Sequence, residues 1–159
     1  MKILIVSDTH GRNGNLEEAV MRETPFDYLI HCGDVEGQEY YIEALAECPC
    51  YIVSGNNDFF SDLPREEEIC LGGKRIFVTH GHYLGVSLDP GRLVEEAAYR
   101  GCDVAIFGHI HRPVMERHGE VLLLNPGSLS YPRQRGRQPS YMVWEQEGVE
   151  EPRIKIKYL

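Results

Sequence analysis

Residues 2–10 read KILIVSDTH, an apolar run that predicts a buried strand, followed by a polar turn that carries Asp8 and His10. The same order, an apolar run and then polar side chains beside glycine, occurs four more times. These later strand ends read Cys32-Gly33-Asp34, Gly55-Asn56-Asn57-Asp58, His80-Gly81-His82 and Gly108-His109-Ile110-His111. Ligands of open α/β sheets lie beyond the carboxyl ends of the strands. We therefore expect the five strand ends to converge on one site.

The segments around these strand ends predict an α/β fold. In the first half, strands expected at 2–6, 27–31 and 50–54 alternate with helices at 15–22 and 38–47. Strands that alternate with helices indicate a parallel sheet with right-handed crossovers.

The second half of the chain predicts mostly antiparallel pairing. Gly72-Gly73 joins 66–71 to 74–79 as a hairpin, and Asp89 is expected to be the N-cap of a helix at 90–100. A buried strand at 103–108 and two further antiparallel pairs follow. Strands mixed in this order favour two sheets packed face to face, with helices outside.

Composition narrows the class of protein. A chain of 159 residues is one domain by length, and 16 Lys+Arg against 25 Asp+Glu give it a net charge of −9. That balance argues against a nucleic-acid-binding protein, which needs a basic face. No apolar run approaches the roughly 18 residues of a membrane span. Five cysteines without a CxxC pair are typical of reduced thiols in a cytoplasmic protein.

The histidines point to a metal site. Six of the seven lie at or just past strand ends, at positions 10, 31, 80, 82, 109 and 111, and only His118 is expected elsewhere on the surface. In Asp-x-His and His-x-His, residues i and i+2 of an extended segment project to the same side, with Cα atoms about 7 Å apart. A mixed Asp, His and Asn set without thiolates disfavours a structural zinc site of the cysteine type. It suits Mn, Fe, Zn, Ni or Co at a catalytic position.

The five motifs together resemble the ordered motif set of the calcineurin-like metallophosphoesterases. The segment Asn125-Pro126-Gly127-Ser128, followed by Pro132-Arg133, resembles the small YfcE-type phosphodiesterase branch. The resemblance extends from residue 3 to about residue 133. It implies one domain over residues 1–159, folded as a four-layer α/β/β/α sandwich with two mixed β-sheets. It also implies a small phosphoester substrate and a dimer or higher homo-oligomer.

The resemblance implies a site for two divalent metal ions, with manganese favoured. One ion would be bound by Asp8, His10 and His111, and the other by Asn56, His80 and His109. Asp34 would bridge the two ions. A hydroxide held between such ions would attack the phosphorus of a phosphodiester, while the metals neutralise charge on the phosphoryl oxygens.

One position departs from the family pattern. Many members carry His where this chain has Asn57, and that His is proposed to protonate the leaving oxygen. An amide donates a hydrogen bond but gives up no proton near pH 7. We therefore expect a preference for phosphodiesters or activated aryl esters. The candidate catalytic residues are Asn57, Asp58 and His82, with His82 or a metal-bound water as the substitute acid.

Other residues have two interpretations. Arg133 is either a contact to the non-reacting part of an anionic substrate or part of a solvated loop. His31 is expected to orient metal-site groups rather than to bind metal. Phe59-Phe60 line a substrate wall or a subunit contact, or pack in the core, and core packing is favoured. Tyr40-Tyr41 are expected to pack a helix on the sheet.

Three other functions remain as alternatives. A phosphomonoesterase is disfavoured by the absence of His at position 57. A metal-site scaffold for protein partners, as in the retromer subunit of this fold, would be favoured by loss of ligand residues, and none is lost here. A nuclease is disfavoured because the chain lacks a basic groove and a second domain.

Overall fold

The structure is a computed structural model that describes residues 1–159, with ten strands and three α-helices. The strands are β1 (Lys2–Val6), β2 (Tyr28–His31), β3 (Cys50–Ile52), β4 (Glu66–Leu71), β5 (Lys74–Thr79), β6 (Val104–Phe107), β7 (Pro113–His118), β8 (Val121–Pro126), β9 (Ser140–Glu145) and β10 (Arg153–Tyr158). The helices are α1 (Gly14–Glu23), α2 (Glu39–Ala46) and α3 (Gly91–Tyr99). A short 3-10 turn spans His82–Leu84. None of the helices has the length and hydropathy that a membrane crossing needs.

The strands form two mixed sheets of five strands each. The first has the order β10-β9-β1-β2-β3. In it β1, β2 and β3 are parallel, and β9 is antiparallel to both of its neighbours, β1 and β10. The second has the order β4-β5-β6-β8-β7, with β5, β6 and β8 parallel and the two edge strands antiparallel. The prediction of an α/β fold with two mixed sheets is confirmed.

The core explains why β1 is apolar on every residue after Lys2. Ile3 and Ile5 face the second sheet in a cluster that includes Trp144. Leu4 and Val6 face α1 and α2 on the other side. Because side chains alternate along a strand, a strand that is covered on both faces needs a continuous apolar run. A third cluster packs α3 on the outer face of the second sheet. The layers are therefore helix, sheet, sheet and helix.

Three local expectations were wrong. Pro90, not Asp89, is the N-cap of α3, and the Asp89 carboxylate instead accepts a hydrogen bond from Gly91 N at 3.0 Å. The side chains of Tyr40 and Tyr41 are exposed, because α2 turns only Ile42 into the core. Phe59-Phe60 are exposed too, and core packing is excluded for them.

Backbone hydrogen bonds join the loops at one edge of both sheets. Asp8 N donates to Gly33 O at 3.1 Å, and His10 N donates to Asp34 O at 2.9 Å. Gly108 N donates to His80 O at 3.3 Å within the second sheet. Between the sheets, His109 N donates to Oδ2 of Asp8 at 3.2 Å. The carboxyl ends of β1, β2, β5 and β6 therefore meet at one place.

Candidate metal centre

Four of the predicted ligands form a close cluster. One ligand atom from each of Asp8, His10, Asp34 and His111 lies within 4.8 Å of the others. Nε2 of His111 is 3.1 Å from Oδ1 of Asp8. Nε2 of His10 is 3.9 Å from the same oxygen and 3.7 Å from Oδ2 of Asp34. Two carboxylates and two imidazoles at these distances make a donor set that suits a divalent transition metal.

The other three predicted ligands form a second group beside the first. Oδ1 of Asn56 is 3.0 Å from Nε2 of His80 and 2.8 Å from Nδ1 of His109. Oδ2 of Asp34 lies 3.5 Å from Nε2 of His80, so Asp34 adjoins both groups. The structure thus brings all seven predicted ligand side chains together, and their division between two ions stays a prediction.

The imidazoles are oriented by partners outside the cluster. His80 donates from Nδ1 to Cys32 O at 2.6 Å, and His111 donates from Nδ1 to Tyr131 O at 2.8 Å. Nδ1 of His10 is 2.8 Å from Oε1 of Glu36. These contacts leave Nε2 of each ring facing the centre, as in metal sites whose ligands are held by hydrogen bonds. Sequence reasoning missed Glu36, which looks like an ordinary loop residue.

The backbone of the ligand loops is strained. Five of the seven residues have a left-handed conformation that side chains other than glycine rarely adopt: Asp8 (φ 54°), His10 (φ 47°), Asp34 (φ 58°), His109 (φ 69°) and His111 (φ 56°). Each costs about 1–3 kcal/mol, and such residues concentrate at functional sites. These backbone conformations direct the ligand side chains that follow strands of both sheets toward the same centre.

Two glycines explain why the motifs need glycine beside the ligands. A Cβ on Gly55 would lie 2.1 Å from Oδ1 of Asp34. A Cβ on Gly108 would lie 2.2 Å from Oγ of Ser7 and 3.0 Å from Oδ2 of Asp8. No other residue fits at either position without displacing a ligand loop.

The electrostatics of Asp8 fit a bound cation. Its side chain is fully buried, and Oδ1 has no hydrogen-bond partner. Burial alone would raise the pKa of Asp8, but the neighbouring imidazoles of His111 and His80 outweigh that effect, so the pKa lies below its ordinary value. The group is therefore a carboxylate at neutral pH. No Lys or Arg pairs with Asp8 or Asp34; their ion-pair partners are all histidines. Buried carboxylates without such partners call for a metal.

Asn57 and Asp58 form hydrogen bonds to the ligand loops. Asn57 donates twice to Asp34, from its backbone N to Oδ1 and from Nδ2 to Oδ2, both at 2.8 Å. Oδ1 of Asp58 accepts from Glu36 N at 2.7 Å, while Oδ2 accepts from Asp34 N at 2.8 Å and from Gly55 N at 2.7 Å. Both Asp58 oxygens are thus occupied by backbone donors, an arrangement that fixes loops.

His31 lies beneath the site. Gly33 N donates to its Nδ1 at 3.2 Å, so the proton is on Nε2, which lies 3.1 Å from Oγ1 of Thr9. Burial lowers the pKa of His31 to about 4. A neutral, fully buried ring that joins the loops after β1 and β2 can orient the ligands, and it offers no free nitrogen to a metal.

His82 lies beside the second ligand group and outside the cleft lining. Its ring centroid is 5.4 Å from that of His80 and 6.1 Å from that of His109. Nδ1 is buried without a partner. Burial, and then His80, lower the pKa of His82, which favours its neutral form at neutral pH.

The turn after β8 holds the ligand loops. Oγ of Ser128 donates to Asp8 O at 2.9 Å and accepts from Tyr131 N at 2.9 Å. Nδ2 of Asn125 donates to Gly108 O at 2.7 Å. The Asn125-Pro126-Gly127-Ser128 segment is therefore structural support for the site.

The cluster opens into a cleft of about 680 Å³. One side is formed by the ligand residues and Asn57, and the other by the segment that follows Leu129. The lining residues are His10, Asp34, Asn56, Asn57, His109, His111, Ser130, Tyr131, Pro132, Arg133 and Arg137. The structure thus places Arg133 at the cleft, and Arg137 of the same loop lines the cleft as well. A cleft of this size holds a whole small molecule.

Comparison with known proteins agrees with this geometry. The family model of the calcineurin-like phosphoesterase superfamily domain matches residues 1–148. A probable metallophosphoesterase of Bacillus subtilis, YsnB, is 38% identical over 144 residues, which are 90% of this chain and 83% of the relative. The phosphodiesterase YfcE of Escherichia coli is 39% identical over 165 residues, covering 89% of this chain and 85% of the relative.

Solved structures share the fold. A predicted phosphoesterase from Streptococcus pneumoniae superposes with a TM-score of 0.85 at 28% identity, covering 99% of this chain and 88% of that one. Vps29 of Entamoeba histolytica, solved with zinc, superposes with a TM-score of 0.80 at 22% identity, covering 99% of each chain. The second likeness shows the fold alone. The chain belongs to the calcineurin-like phosphoesterase superfamily, and it is a phosphoesterase with a site for divalent metal.

Proposed function

We propose that this member of the calcineurin-like phosphoesterase superfamily hydrolyses phosphodiesters at a site for two divalent ions, with manganese favoured. The observation that carries the proposal is the buried, unpartnered Oδ1 of Asp8 within a cluster of two carboxylates and two imidazoles. Relatives named phosphodiesterase, YfcE among them, support the choice of a diester.

Seven side chains would hold the ions. Asp8, His10 and His111 form one set, Asn56, His80 and His109 form the other, and Asp34 adjoins both. When bound, two divalent cations supply Lewis-acid polarisation of phosphoryl oxygens and a nucleophile at neutral pH. The chain supplies the positions of these ligands, through Glu36, Cys32 O and Tyr131 O on the outer nitrogens of the imidazoles.

Asn57 orients Asp34 and transfers no proton. Its two hydrogen bonds hold both carboxylate oxygens of Asp34, and an amide cannot act as a general acid near pH 7. The other candidate acid, His82, has a pKa that burial and then His80 lower, so its imidazole is neutral and is not a general acid at neutral pH. The amide at position 57 and the neutral form of His82 together favour substrates whose leaving oxygen needs no protonation. Activated aryl diesters are such substrates, and phosphomonoesters of simple alcohols are not.

Asp58 is, in this proposal, a positioning residue. It fixes the backbone of Asp34, Glu36 and Gly55 against one another. Its effect on the reaction would pass through the placement of Asp34.

We propose further that residues 1–159 act as one domain, in the cytoplasm and as a homo-oligomer. The core between the sheets, which joins Ile3 to Trp144, supports a single domain. Five cysteines, none in a disulfide, support a reducing compartment. The scaffold alternative fits the fold that the chain shares with Vps29, but it is disfavoured because no predicted ligand residue is lost.

The test is to purify the protein without chelator, measure its metal content after Mn²⁺ loading, and assay an aryl phosphodiester. We expect two ions per chain and hydrolysis that Asp34→Asn reduces about 100-fold or more. Asp62→Asn, an exposed aspartate without an ion pair in the structure, is the matched control. Fewer than one ion per chain, or an unchanged rate in Asp34→Asn, would contradict the proposal.

A further inference from the structure

The side of the cleft opposite the ligands is basic. We name residues 130–137 the arginine loop; it carries Arg133, Arg135 and Arg137 and no acidic residue. Arg133 and Arg137 line the cleft, whereas Arg135 does not. In a chain with a net charge of −9, this loop is a local concentration of positive charge.

The arginines of this loop have no anionic partner in the protein. Elsewhere, Arg22, Arg75 and Arg100 pair with glutamates. None of the three arginines in the loop forms an ion pair. Two guanidinium groups that line the cleft and pair with no carboxylate of the protein are free to bind an anion from solution.

The loop is tied to the ligand loops. Arg133 N donates to His111 O at 2.8 Å, and His111 donates back from Nδ1 to Tyr131 O. Oγ of Ser130 donates to Thr9 O at 2.6 Å. The backbone of Arg133 is thus held against two ligand loops, which sets the position of the arginine loop relative to the cluster.

Arg137 is held in an unusual conformation. Its φ is +47°, in the left-handed region where glycine or asparagine would cost less. Its N–H donates to Gln134 O at 3.0 Å, which closes a turn around Gly136. The turn that holds Arg137 at this cost in backbone strain places its side chain at the cleft.

We infer that Arg133 and Arg137 form a second anion subsite. It binds an additional phosphate on the part of the phosphodiester that is retained when the leaving group departs. The inference rests on the proposed function, because it assigns the substrate class of that site: phosphodiesters with an additional phosphate. The cleft volume of about 680 Å³ accommodates such a molecule between the ligand cluster and the arginine loop. The planar fork of each guanidinium matches phosphate oxygens.

Two matched substrates test the inference. Thymidine 5′-(p-nitrophenyl phosphate) and its 3′-phosphate have the same leaving group and differ only in the additional phosphate. With Mn²⁺-loaded protein we expect kcat/KM to be about 10-fold or more higher for the 3′-phosphate, through a lower KM. Arg133→Gln and Arg137→Gln should each bring this ratio close to one, whereas Arg135→Gln should keep it.

Each outcome decides a separate point. Hydrolysis of both substrates with equal kcat/KM, or a preference that survives in both Arg133→Gln and Arg137→Gln, would overturn the subsite and leave the phosphodiesterase proposal in place. Hydrolysis of neither substrate would contradict the phosphodiesterase proposal. In that event, calorimetric titration with thymidine 3′,5′-bisphosphate still decides the subsite. Binding that weakens in Arg137→Gln and not in Arg135→Gln supports it, and equal binding overturns it.

Discussion

Nδ2 of Asn57 donates a 2.8 Å hydrogen bond to Oδ2 of Asp34, and the backbone N of Asn57 donates at 2.8 Å to the other oxygen. The residue that stands where many family members carry an acid is therefore engaged with the carboxylate that adjoins both ligand groups. Its amide holds a ligand in place and supplies no proton to a leaving group near pH 7.

Replacement of Asn57 should show this division of roles. We expect Asn57→His to raise turnover most on diesters with poor alkoxide leaving groups, because an imidazole can supply the missing proton. General acids contribute about 100-fold or more, so we expect a gain of at least about 10-fold on poor leaving groups. Rates for aryl and alkyl diesters are compared in Asn57→His and Asn57→Ala. Equal effects on good and poor leaving groups would disprove the idea.

Metal should stabilise the fold. A ligand that binds only the folded state adds about 2.7 kcal/mol when present at 100 times its Kd. We expect Mn²⁺ to raise the Tm of chelator-treated protein, and His111→Gln to lose most of that rise. His118→Gln, an exposed histidine on β7 outside the ligand set, should retain it. The same rise in both variants would show that the cation acts elsewhere.

Glu36 should matter through His10. Loss of a carboxylate that orients a ligating imidazole weakens metal affinity by about 10- to 100-fold. Glu36→Ala removes the contact to Nδ1 of His10, while Glu36→Gln retains an acceptor oxygen and should lie between Glu36→Ala and the parent protein. Metal titration of the three proteins measures the order. Affinity that is unchanged in Glu36→Ala would mean that His10 is held by its backbone alone.

Gly55 should tolerate no side chain. A methyl group there meets the Asp34 carboxylate at 2.1 Å, so we expect Gly55→Ala to lower stability by about 1–3 kcal/mol and to abolish tight metal binding. Gly14→Ala at the start of α1 meets no atom within 4 Å and provides the control. Urea denaturation and metal titration of both variants test this. A Gly55→Ala protein that binds metal normally would contradict the close approach of the two loops.

Glu23 should make stability depend on pH. This buried carboxylate contacts Nζ of Lys157 at 2.7 Å, Nζ of Lys2 at 3.0 Å and the hydroxyl of Tyr141 at 2.8 Å. Burial raises its pKa, but the hydrogen bonds from Lys157, Lys2 and Tyr141 outweigh that effect and leave the pKa below 4.5. Its contribution is therefore complete above the unfolded pKa and is lost as pH falls through the folded pKa.

The corresponding variant is Glu23→Gln. We expect it to lower the free energy of unfolding by about 1 kcal/mol at pH 7, because two partly exposed lysines lose their charged partner while Gln keeps an acceptor oxygen. The difference from the parent protein should be smaller at pH 3 than at pH 7, because the stability that the carboxylate contributes is lost as pH falls through its lowered pKa. Glu150→Gln, at an exposed glutamate, should have no effect at either pH. Denaturation curves at both pH values measure the difference.

The sequence predicted the ligand cluster because each motif directly follows an apolar run. The runs specify buried strands, and the ends of parallel strands meet at one edge, so Asp8 and His109 could be placed together from 101 residues apart. Glu36 and Arg137 could not be placed this way. Their roles depend on left-handed turns in loops, and no periodic pattern encodes those turns. Phe59-Phe60 were misplaced because hydrophobicity alone does not decide burial in a loop.

The ligands also have a consequence for how the chain is held together. His10 and His111, whose Nε2 atoms are 3.4 Å apart, are separated by 101 residues and follow strands of different sheets. A cation bound by both would act as a cross-link that closes a loop of that length, and such closure removes about 4–5 kcal/mol of chain entropy from the unfolded state. Loss of the ion would remove this cross-link, so the two sheets of the metal-free protein should separate more readily at this edge.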